Sequence, residues 1–265
     1  MNDLSLSSTE TLIVVPCYNE EKRLDAAAFH AFAQANPAIH FLFVDDGSSD
    51  GTKALLQQMC AGQPASFSSL HLPKNQGKAE AVRQGFLKGF ERNAQYIGYW
   101  DADLATPLRT ILDFAAVLNT KPQVEVVTGA RVRLAQKRIE RSMSRHYLGR
   151  LFATAAGNLF HFPMYDTQCG AKLFRASPAL LEACSDHFLS RWIFDVELLL
   201  RLHHATRKNS PVSWELLIHE FPLEEWRHCK DSKMKISHIL MVPWELLRVY
   251  RSWKKHTCPT NPVIK

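Results

Sequence analysis

The chain has 265 residues, of which 46% are hydrophobic, so it can bury the core of one large α/β domain or two small ones and is not intrinsically disordered. Its formal net charge of +6 at pH 7 favours an anionic partner, such as nucleotide phosphates, anionic lipid head groups or nucleic acid, without choosing among them. A basic protein with no charge-driven partner is the alternative at this stage.

From Thr11 onwards, short apolar runs alternate with longer mixed segments. Five runs predict strands, at residues 11–16, 39–46, 69–73, 96–103 and 124–130. The mixed segments predict helices, at residues 19–35, 50–60, 76–92 and from Pro107 onwards. This order predicts an α/β fold with a mostly parallel, twisted sheet and helices on both faces.

The second half of the chain is less regular. Residues 132–160 are rich in Arg and Lys, and the spacing of Arg138, Arg141 and Arg145 predicts one shared helix face. Two helices follow residue 174, and a strand is predicted around residues 214–221. Residues 236–255 predict an amphipathic basic helix, bent at Pro243, that either lies on an anionic membrane or packs on the domain.

The six cysteines are scattered and form no CxxC pair, which argues against a zinc ribbon and a dense disulfide framework. Free thiols in a reducing cytosol are the expectation. The first ten residues lack the basic region and apolar core of a signal peptide, and no apolar run is long enough for a transmembrane helix. The sequence therefore predicts a cytoplasmic protein.

Two acids, Asp101 and Asp103, end the fourth predicted strand, at the sheet edge where parallel sheets bind ligands. Alternate residues of an extended segment point the same way, so both carboxylates are expected to face one point. Such a pair suits a hard divalent cation that also binds substrate phosphates. Two solvated acids at a strand–loop junction are the alternative.

Polar residues end the first two strands as well. Tyr18 is suited to stacking on a base, and Asp45 or Asp46 to bonding a ribose hydroxyl or a base N–H. An ordinary turn followed by a capped helix explains the same residues without a ligand. Lys78 follows a glycine at a helix start and can reach a phosphate, or it belongs to a solvated helix face.

In this order, the motifs resemble the nucleotide-sugar domain of the family 2 glycosyltransferases, which has the GT-A fold. Among these, the polyprenyl-phosphate glycosyltransferases, and the dolichyl-phosphate β-glucosyltransferases in particular, are the most similar. The stretches that carry the resemblance are VPCYNEEKRL, FVDDGSSDGT, NQGKAEAVRQG, DADLATP, VVTGAR, DTQCGAKLF and RWIFDVELL. The resemblance implies a tail at residues 1–10, a GT-A domain at 11–225 and a C-terminal basic helix and tail at 226–265.

The resemblance also implies a role for each matching residue. The nucleotide-sugar ligands would be Pro16, Tyr18, Glu20, Asp45 or Asp46, Lys78 and Asp101. Asp101 and Asp103 would bind Mg²⁺ or Mn²⁺ at the donor diphosphate. The acceptor or phosphate side would be formed by Arg131, Arg141, Arg145 and Gln168. Asp195 and Arg131 would act in catalysis, and Glu197 lies near the position of the acidic catalytic residue.

The reaction implied is the inverting transfer of a hexose, glucose by the nearer match, from a UDP-sugar to a polyprenyl phosphate at the cytoplasmic face of a membrane. A phosphate acceptor is already anionic, so Asp195 would only orient it, whereas a hydroxyl acceptor would need Asp195 as a base. Transfer to a hydroxyl and a non-catalytic nucleotide-sugar binding module are the alternatives. Acids at the strand ends would repel a nucleic acid, and the oligomeric state is not predicted.

The sequence departs from the family pattern in its membrane helices, which weakens the use of a lipid acceptor, and in the residues after Lys78. The membrane helices that relatives carry before or after this domain are not found in the chain. After Lys78, the sequence reads Ala-Glu where relatives usually carry glycines, which puts close phosphate approach there in doubt.

Overall fold

A computed structural model of the chain describes residues 10–132, 138–139, 152, 154, 156–160, 164–191, 193–209, 213–227 and 236–257. Within these ranges, the side chains of residues 138, 209, 236–243 and 255–257 are left out of the description. Arg141 and Arg145 lie outside the described residues.

A seven-stranded sheet forms the centre of the fold, in the order β3-β2-β1-β4-β7-β5-β8. Its strands are β1 Thr11–Cys17, β2 Ile39–Asp45, β3 Phe67–His71, β4 Tyr96–Trp100, β5 Val126–Ala130, β7 Ala171–Arg175 and β8 Ile218–Pro222. Only β7 runs antiparallel to its neighbours, so the predicted mostly parallel sheet is confirmed. Two short strands, β6 Arg138–Ile139 and β9 Glu225–Trp226, pair separately.

Helices cover both faces of the sheet, as predicted. They are α1 Ala26–Ala35, α2 Thr52–Gly62, α3 Lys78–Glu91, α4 Thr110–Thr120, α5 Pro178–Ser185, α6 Phe194–Asn209, α7 Trp214–Leu217 and α8 Ile236–Thr257. Because alternate strand residues point to opposite faces, Ile13 and Val15 pack with α1, α2 and α4, whereas Leu12 and Val14 pack with α3, α5, α6 and α8. The sheet therefore separates two apolar clusters.

Two local predictions are wrong in detail, and a third is confirmed. The helix predicted from residue 19 begins only at Ala26, because Asn19 has a left-handed φ of 51° and Asp25 caps the helix by accepting from Ala28 N at 3.0 Å. The strand predicted at residues 214–221 begins at Ile218, after α7. The predicted C-terminal helix is present as α8, which covers Pro243 as one helix.

The predicted arginine helix face is also wrong for Arg138. This residue lies in β6, where it pairs with Glu225 of β9, and the neighbouring Ile139 is buried. Because β6 pairs with β9 as an extended segment, Arg138 is not helical, although its spacing of three and seven residues from Arg141 and Arg145 is typical of a helix face.

Candidate active site

Asp101 lies directly after β4, at the carboxyl edge of the sheet. Its amide donates to the carbonyl of Gly170 at 3.0 Å, and its carboxylate accepts from Lys78 Nζ at 2.5 Å. A Cβ atom on Gly170 would collide with the Asp101 carboxylate, so any larger residue there would displace this acid or the loop. The ion pair is partly open to solvent, since the Lys78 and Asp101 side chains are 36% and 37% exposed.

Asp103 lies beside Asp101, but not for the predicted reason. β4 ends at Trp100, and Leu104 N bonds back to the Asp101 carbonyl at 3.2 Å, so the two acids share a turn rather than an extended segment. Burial raises the pKa of Asp103, and the charge of Asp101 raises it further. Two acids that repel each other in this way favour a bound cation.

The two carboxylates fit a hard divalent cation, because Mg²⁺ and Mn²⁺ prefer oxygen ligands. Within the described ranges, no cluster of three or more His, Cys, Asp or Glu side chains has metal-binding geometry. A cation bound by this pair would therefore complete its coordination with oxygens of substrate or water. The absence of a side chain at Gly170 lets the Asp101 carboxylate lie directly against the loop before β7.

Lys78 brings a positive charge to the same place. It is the first residue of α3, and its Nζ lies 5.2 Å from the centre of the Tyr99 ring. Burial lowers its pKa, but the charges of Asp101 and Asp195 outweigh this effect and raise the pKa overall. Lys78 is therefore a cation at neutral pH, next to the acidic pair.

The ends of β1 and β2 form the side of the site predicted to hold the nucleoside. Asp45 accepts from Ser48 N at 3.0 Å and faces His71 Nδ1 at 3.3 Å. Asp46 accepts from the amides of Gln76 and Gly77, at 2.7 and 2.8 Å. Burial raises the pKa of Asp46, although the hydrogen bonds from these two amides lower it. Asp46 therefore holds the loop before α3 in place through these two hydrogen bonds.

Pro16 and Tyr18 lie at the end of β1, and Tyr18 is 36% exposed. Glu20 is buried and receives two hydrogen bonds from Arg23, both at 2.9 Å. Its amide donates to Thr52 Oγ1 at 2.7 Å, which joins the loops after β1 and β2. The structure thus brings the predicted nucleoside residues to one edge, with the Glu20 carboxylate held by Arg23.

Arg131 follows β5 and is held by Asp166. Nε and Nη2 donate to the two Asp166 carboxylate oxygens at 2.6 and 2.8 Å, and the guanidinium lies 5.3 Å from the centre of the Trp226 ring. Burial lowers the pKa of Arg131, but the Asp166 charge and hydrogen bonds raise it overall. Asp166 was not predicted from the sequence, although it opens the DTQCGAKLF motif.

Gln168 lies on the same loop, and its amide N–H donates to Asp166 at 3.2 Å. Its side-chain Nε2 is buried and has no hydrogen-bond partner in the part of the chain that the structure describes. Buried polar groups rarely lack a partner, so this donor is well suited to a ligand oxygen. The prediction that Gln168 lines the sugar or acceptor side is compatible with this position.

Asp195 lies in the first turn of α6 and is almost fully buried. Its Oδ1 accepts hydrogen bonds from Tyr99 and, at 2.8 Å, from Lys172. Burial and the charge of Asp195 raise the pKa of Tyr99 well above its usual value, so Tyr99 stays a proton donor. Glu197 instead accepts from the amides of Leu189 and Ser190, and therefore supports a loop.

The sequence prediction missed Lys172 and Tyr99. A lysine between apolar residues in the buried run AKLF was the available signal, because a buried lysine needs a nearby acid. The structure therefore places five chemically active side chains at one edge, and they are Tyr99, Asp101, Lys78, Lys172 and Asp195.

Comparisons with known proteins bear on the family of the chain. The family model described as glycosyl transferase family 2 matches residues 12–180. A dolichyl-phosphate β-glucosyltransferase of Trichomonas vaginalis is 31% identical over 260 residues, which cover 92% of this chain and 72% of that protein. The Saccharomyces cerevisiae dolichyl-phosphate β-glucosyltransferase is 31% identical over 269 residues, with coverages of 92% and 77%.

Solved structures show the same fold. Mycobacterium tuberculosis glucosyl-3-phosphoglycerate synthase, in complex with Mn²⁺, UDP and glucosyl-3-phosphoglycerate, matches with a TM-score of 0.62 at 13% identity, over 92% of this chain and 80% of that chain. Staphylococcus aureus TarS with UDP matches with a TM-score of 0.54 at 16% identity, over 92% and 65%. The GT-A fold predicted from the motifs is confirmed, and the chain belongs to glycosyl transferase family 2.

Proposed function

We propose that this chain transfers glucose from UDP-glucose to a polyprenyl phosphate, with inversion at the sugar. The observation that carries the proposal is the cluster of Asp101, Asp103 and Lys78, next to the strand ends predicted to hold a nucleoside. The names of the sequence relatives support glucose as the sugar and dolichyl phosphate as the type of acceptor.

Asp101 and Asp103 would hold a divalent cation, Mg²⁺ or Mn²⁺, against the donor diphosphate. When bound, this ion neutralises negative charge on the leaving group. A structural relative of the same fold contains Mn²⁺ together with UDP, which supports this assignment. Lys78 is charged and already within reach of Asp101, so its ammonium stabilises the same developing charge from the protein side.

In the transfer step, an acceptor oxygen forms a bond to C1 of glucose while the bond from C1 to the UDP oxygen breaks. A phosphate monoester supplies an oxygen that is already anionic near pH 7. Asp195, held on one oxygen by Tyr99 and Lys172, then orients the reacting groups rather than accepting a proton. Transfer to a hydroxyl would instead require Asp195 as a base.

Arg131 supports phosphate recognition at the acceptor side, since a guanidinium bonds phosphate oxygens well. The Asp166 carboxylate accepts from Nε and Nη2 of Arg131, which fixes the plane of the guanidinium, and among the described residues no hydrogen bond from Nη1 is found. The predicted contribution of Arg141 and Arg145 belongs to the same proposal. Gln168 adds the buried Nε2 donor on the adjoining loop.

The C-terminal helix α8 offers a surface for the membrane that contains the acceptor. Leu246 and Val249 are buried against the domain, so the packing alternative holds for this face. The opposite face exposes Trp244, Leu247, Arg248, Arg251 and Lys254. Aromatic and basic residues on one helix face suit an anionic bilayer surface. None of the described helices is long and apolar enough to cross a bilayer.

The donor site is tested first by thermal unfolding with UDP, GDP or UDP-glucose, with and without Mn²⁺. A ligand that binds only the folded protein raises the melting temperature. We expect a metal-dependent shift with UDP and UDP-glucose that is absent in Asp103→Asn. The matched control is Asp113→Asn, an exposed acid of α4, which should keep the shift. No shift with any nucleotide in the wild type would contradict the proposal.

A further inference from the structure

Lys172 is a fully buried lysine in β7, with a side chain that is 0% exposed. Its Nζ donates to two side-chain oxygens, Tyr99 Oη at 2.9 Å and Asp195 Oδ1 at 2.8 Å. It also lies 3.1 Å from the carbonyl oxygen of Thr167 and 2.7 Å from that of Cys169. Because a buried ammonium is costly without partners, this set of four oxygens indicates a defined role.

These partners belong to three separate parts of the site. Tyr99 is in β4, two residues before Asp101, and it lies directly across from Lys172 in the β4–β7 pair. Thr167 and Cys169 belong to the loop that ends at Gly170, whose carbonyl accepts from the Asp101 amide. Asp195 is in the first turn of α6. One ammonium therefore connects the strand, the loop and the helix that surround Asp101.

The contacts of Asp195 show how Lys172 acts on the site. Both donors, Tyr99 and Lys172, bond to Oδ1. In the part of the chain that the structure describes, the hydrogen bonds found to the Asp195 carboxylate are on Oδ1 and none is on Oδ2. Lys78 lies close to Asp195 as well, since its Nζ is 5.9 Å from the centre of the ring of Phe194, the residue before Asp195. The carboxylate is thus fixed in orientation while one of its oxygens is left for another group.

We propose that Lys172 is a positioning residue for glucose transfer, which holds Asp195 and the loop before Gly170 so that Asp195 Oδ2 faces the reacting groups. This inference rests on the proposed function. Among the described residues, the hydrogen bonds of Lys172 go to Tyr99, Thr167, Cys169 and Asp195, and none goes to the ends of β1 and β2, where the nucleoside is expected to bind. Its loss should therefore impair turnover and spare nucleotide binding.

The test is Lys172→Met, which keeps most of the side-chain length and removes the charge. We expect kcat per folded molecule to fall about 100-fold, as for misplaced catalytic groups, with the KM for UDP-glucose changed by less than about threefold. The Kd for UDP with Mn²⁺, measured by calorimetry, should also stay within about threefold, and its stoichiometry gives the folded fraction. A merely structural lysine would lower the folded fraction and leave kcat per folded molecule unchanged.

Arg83→Met is the matched control, because Arg83 is also buried and pairs with Glu80 at 2.8 Å, and its other hydrogen bonds go to the carbonyls of Cys184 and Ser185. It should lose stability without losing kcat per folded molecule. If Lys172→Met does not fold, Tyr99→Phe removes only the hydroxyl that bonds to both Lys172 and Asp195. That variant should lower kcat about tenfold with unchanged UDP binding.

The same assay separates the two possible failures. If the wild type transfers glucose and Lys172→Met keeps the wild-type kcat per folded molecule, this result would overturn the role of Lys172 alone. If Lys172→Met does not fold, the same result for Tyr99→Phe would overturn it. Wild-type protein that binds UDP without transferring glucose would overturn the proposed function.

Discussion

Lys78 Nζ lies 2.5 Å from Asp101 Oδ1, so the first residue of α3 and the first residue after β4 form an ion pair at the carboxyl edge of the sheet. Both side chains are about one-third exposed, at 36% and 37%. The pair therefore contributes little to stability, since solvent screens it. The pair instead holds the positive charge of Lys78 at the place where a donor diphosphate would bind.

Replacing Lys78 by Met should lower kcat/KM about 100-fold, because one charged donor to the leaving group is lost. Steady-state kinetics with UDP-glucose provide the measurement. Lys88→Met is the control, since Lys88 is an exposed residue of the same helix that pairs with Glu91 at 2.6 Å. Equal kinetics for Lys78→Met and the wild type would show that Lys78 belongs to a solvated helix face.

Replacing Gly170 by Ala should weaken metal-dependent UDP binding at least about tenfold. The added Cβ collides with the Asp101 carboxylate, so either the loop or the acid must move. Calorimetry with UDP and Mn²⁺ measures the effect. At Gly62, an added Cβ would meet only His30 Cε1, at 3.9 Å, so Gly62→Ala should bind UDP as the wild type does. Unchanged binding by Gly170→Ala would argue against Asp101 as a ligand of the metal.

Glu80 should make the stability of the protein depend on pH below about 4.5. Burial alone would raise its pKa, but hydrogen bonds from Arg83, Gln84 and His187 lower it from the usual 4.5 to about 2. A lowered acid pKa stabilises the fold above the unfolded-state value, and this contribution is lost as the pH falls towards 2. The free energy of unfolding should therefore decrease between pH 5 and pH 3.

Urea unfolding at pH 5 and pH 3 gives the test for Glu80. The decrease should be smaller in Glu80→Gln than in the wild type, by at most about 1.4 kcal/mol per pH unit. Glu91→Gln, which changes an acid that is 62% exposed, should keep the wild-type decrease. An identical decrease in all three proteins would contradict the role of Glu80.

The exposed face of α8 should bind anionic vesicles. Replacing Arg248, Arg251 and Lys254 by Gln removes three basic residues from that face, each contributing about 1 kcal/mol to binding near an anionic surface. Vesicles with phosphatidylserine should sediment the wild type and not this variant. The control replaces Lys22, Lys53 and Lys88, which are exposed elsewhere, with the same charge change. Equal loss in both variants would indicate a general charge effect instead of a membrane face.

Much of the fold could be predicted because its signals are local. Each parallel strand appears as a short apolar run, as in Leu12–Val15, and the residues that follow such runs lie at the same sheet edge. Asp101 and Asp45 were therefore placed correctly relative to the sheet. Their identity as nucleotide and metal ligands stays a prediction.

The rest depends on contacts between distant residues. The burial of Lys172 is explained by its contact with Asp195, which is 23 residues away in the sequence. The position of Arg131 is explained by its contact with Asp166, which is 35 residues away. Arg138 appeared to share a helix face, but pairing with Glu225 placed it in a strand. No periodicity in the sequence reports such partners, because tertiary pairing decides them.

The central claim, glucose transfer to a lipid phosphate, is tested most directly with radiolabelled UDP-glucose in detergent, comparing a short-chain polyprenyl phosphate with the matching polyprenol. Label is expected to move to the lipid phosphate only, in a reaction that requires a divalent cation and is lost in Asp103→Asn. Label on the polyprenol, or no label on either lipid while UDP still binds, would contradict it.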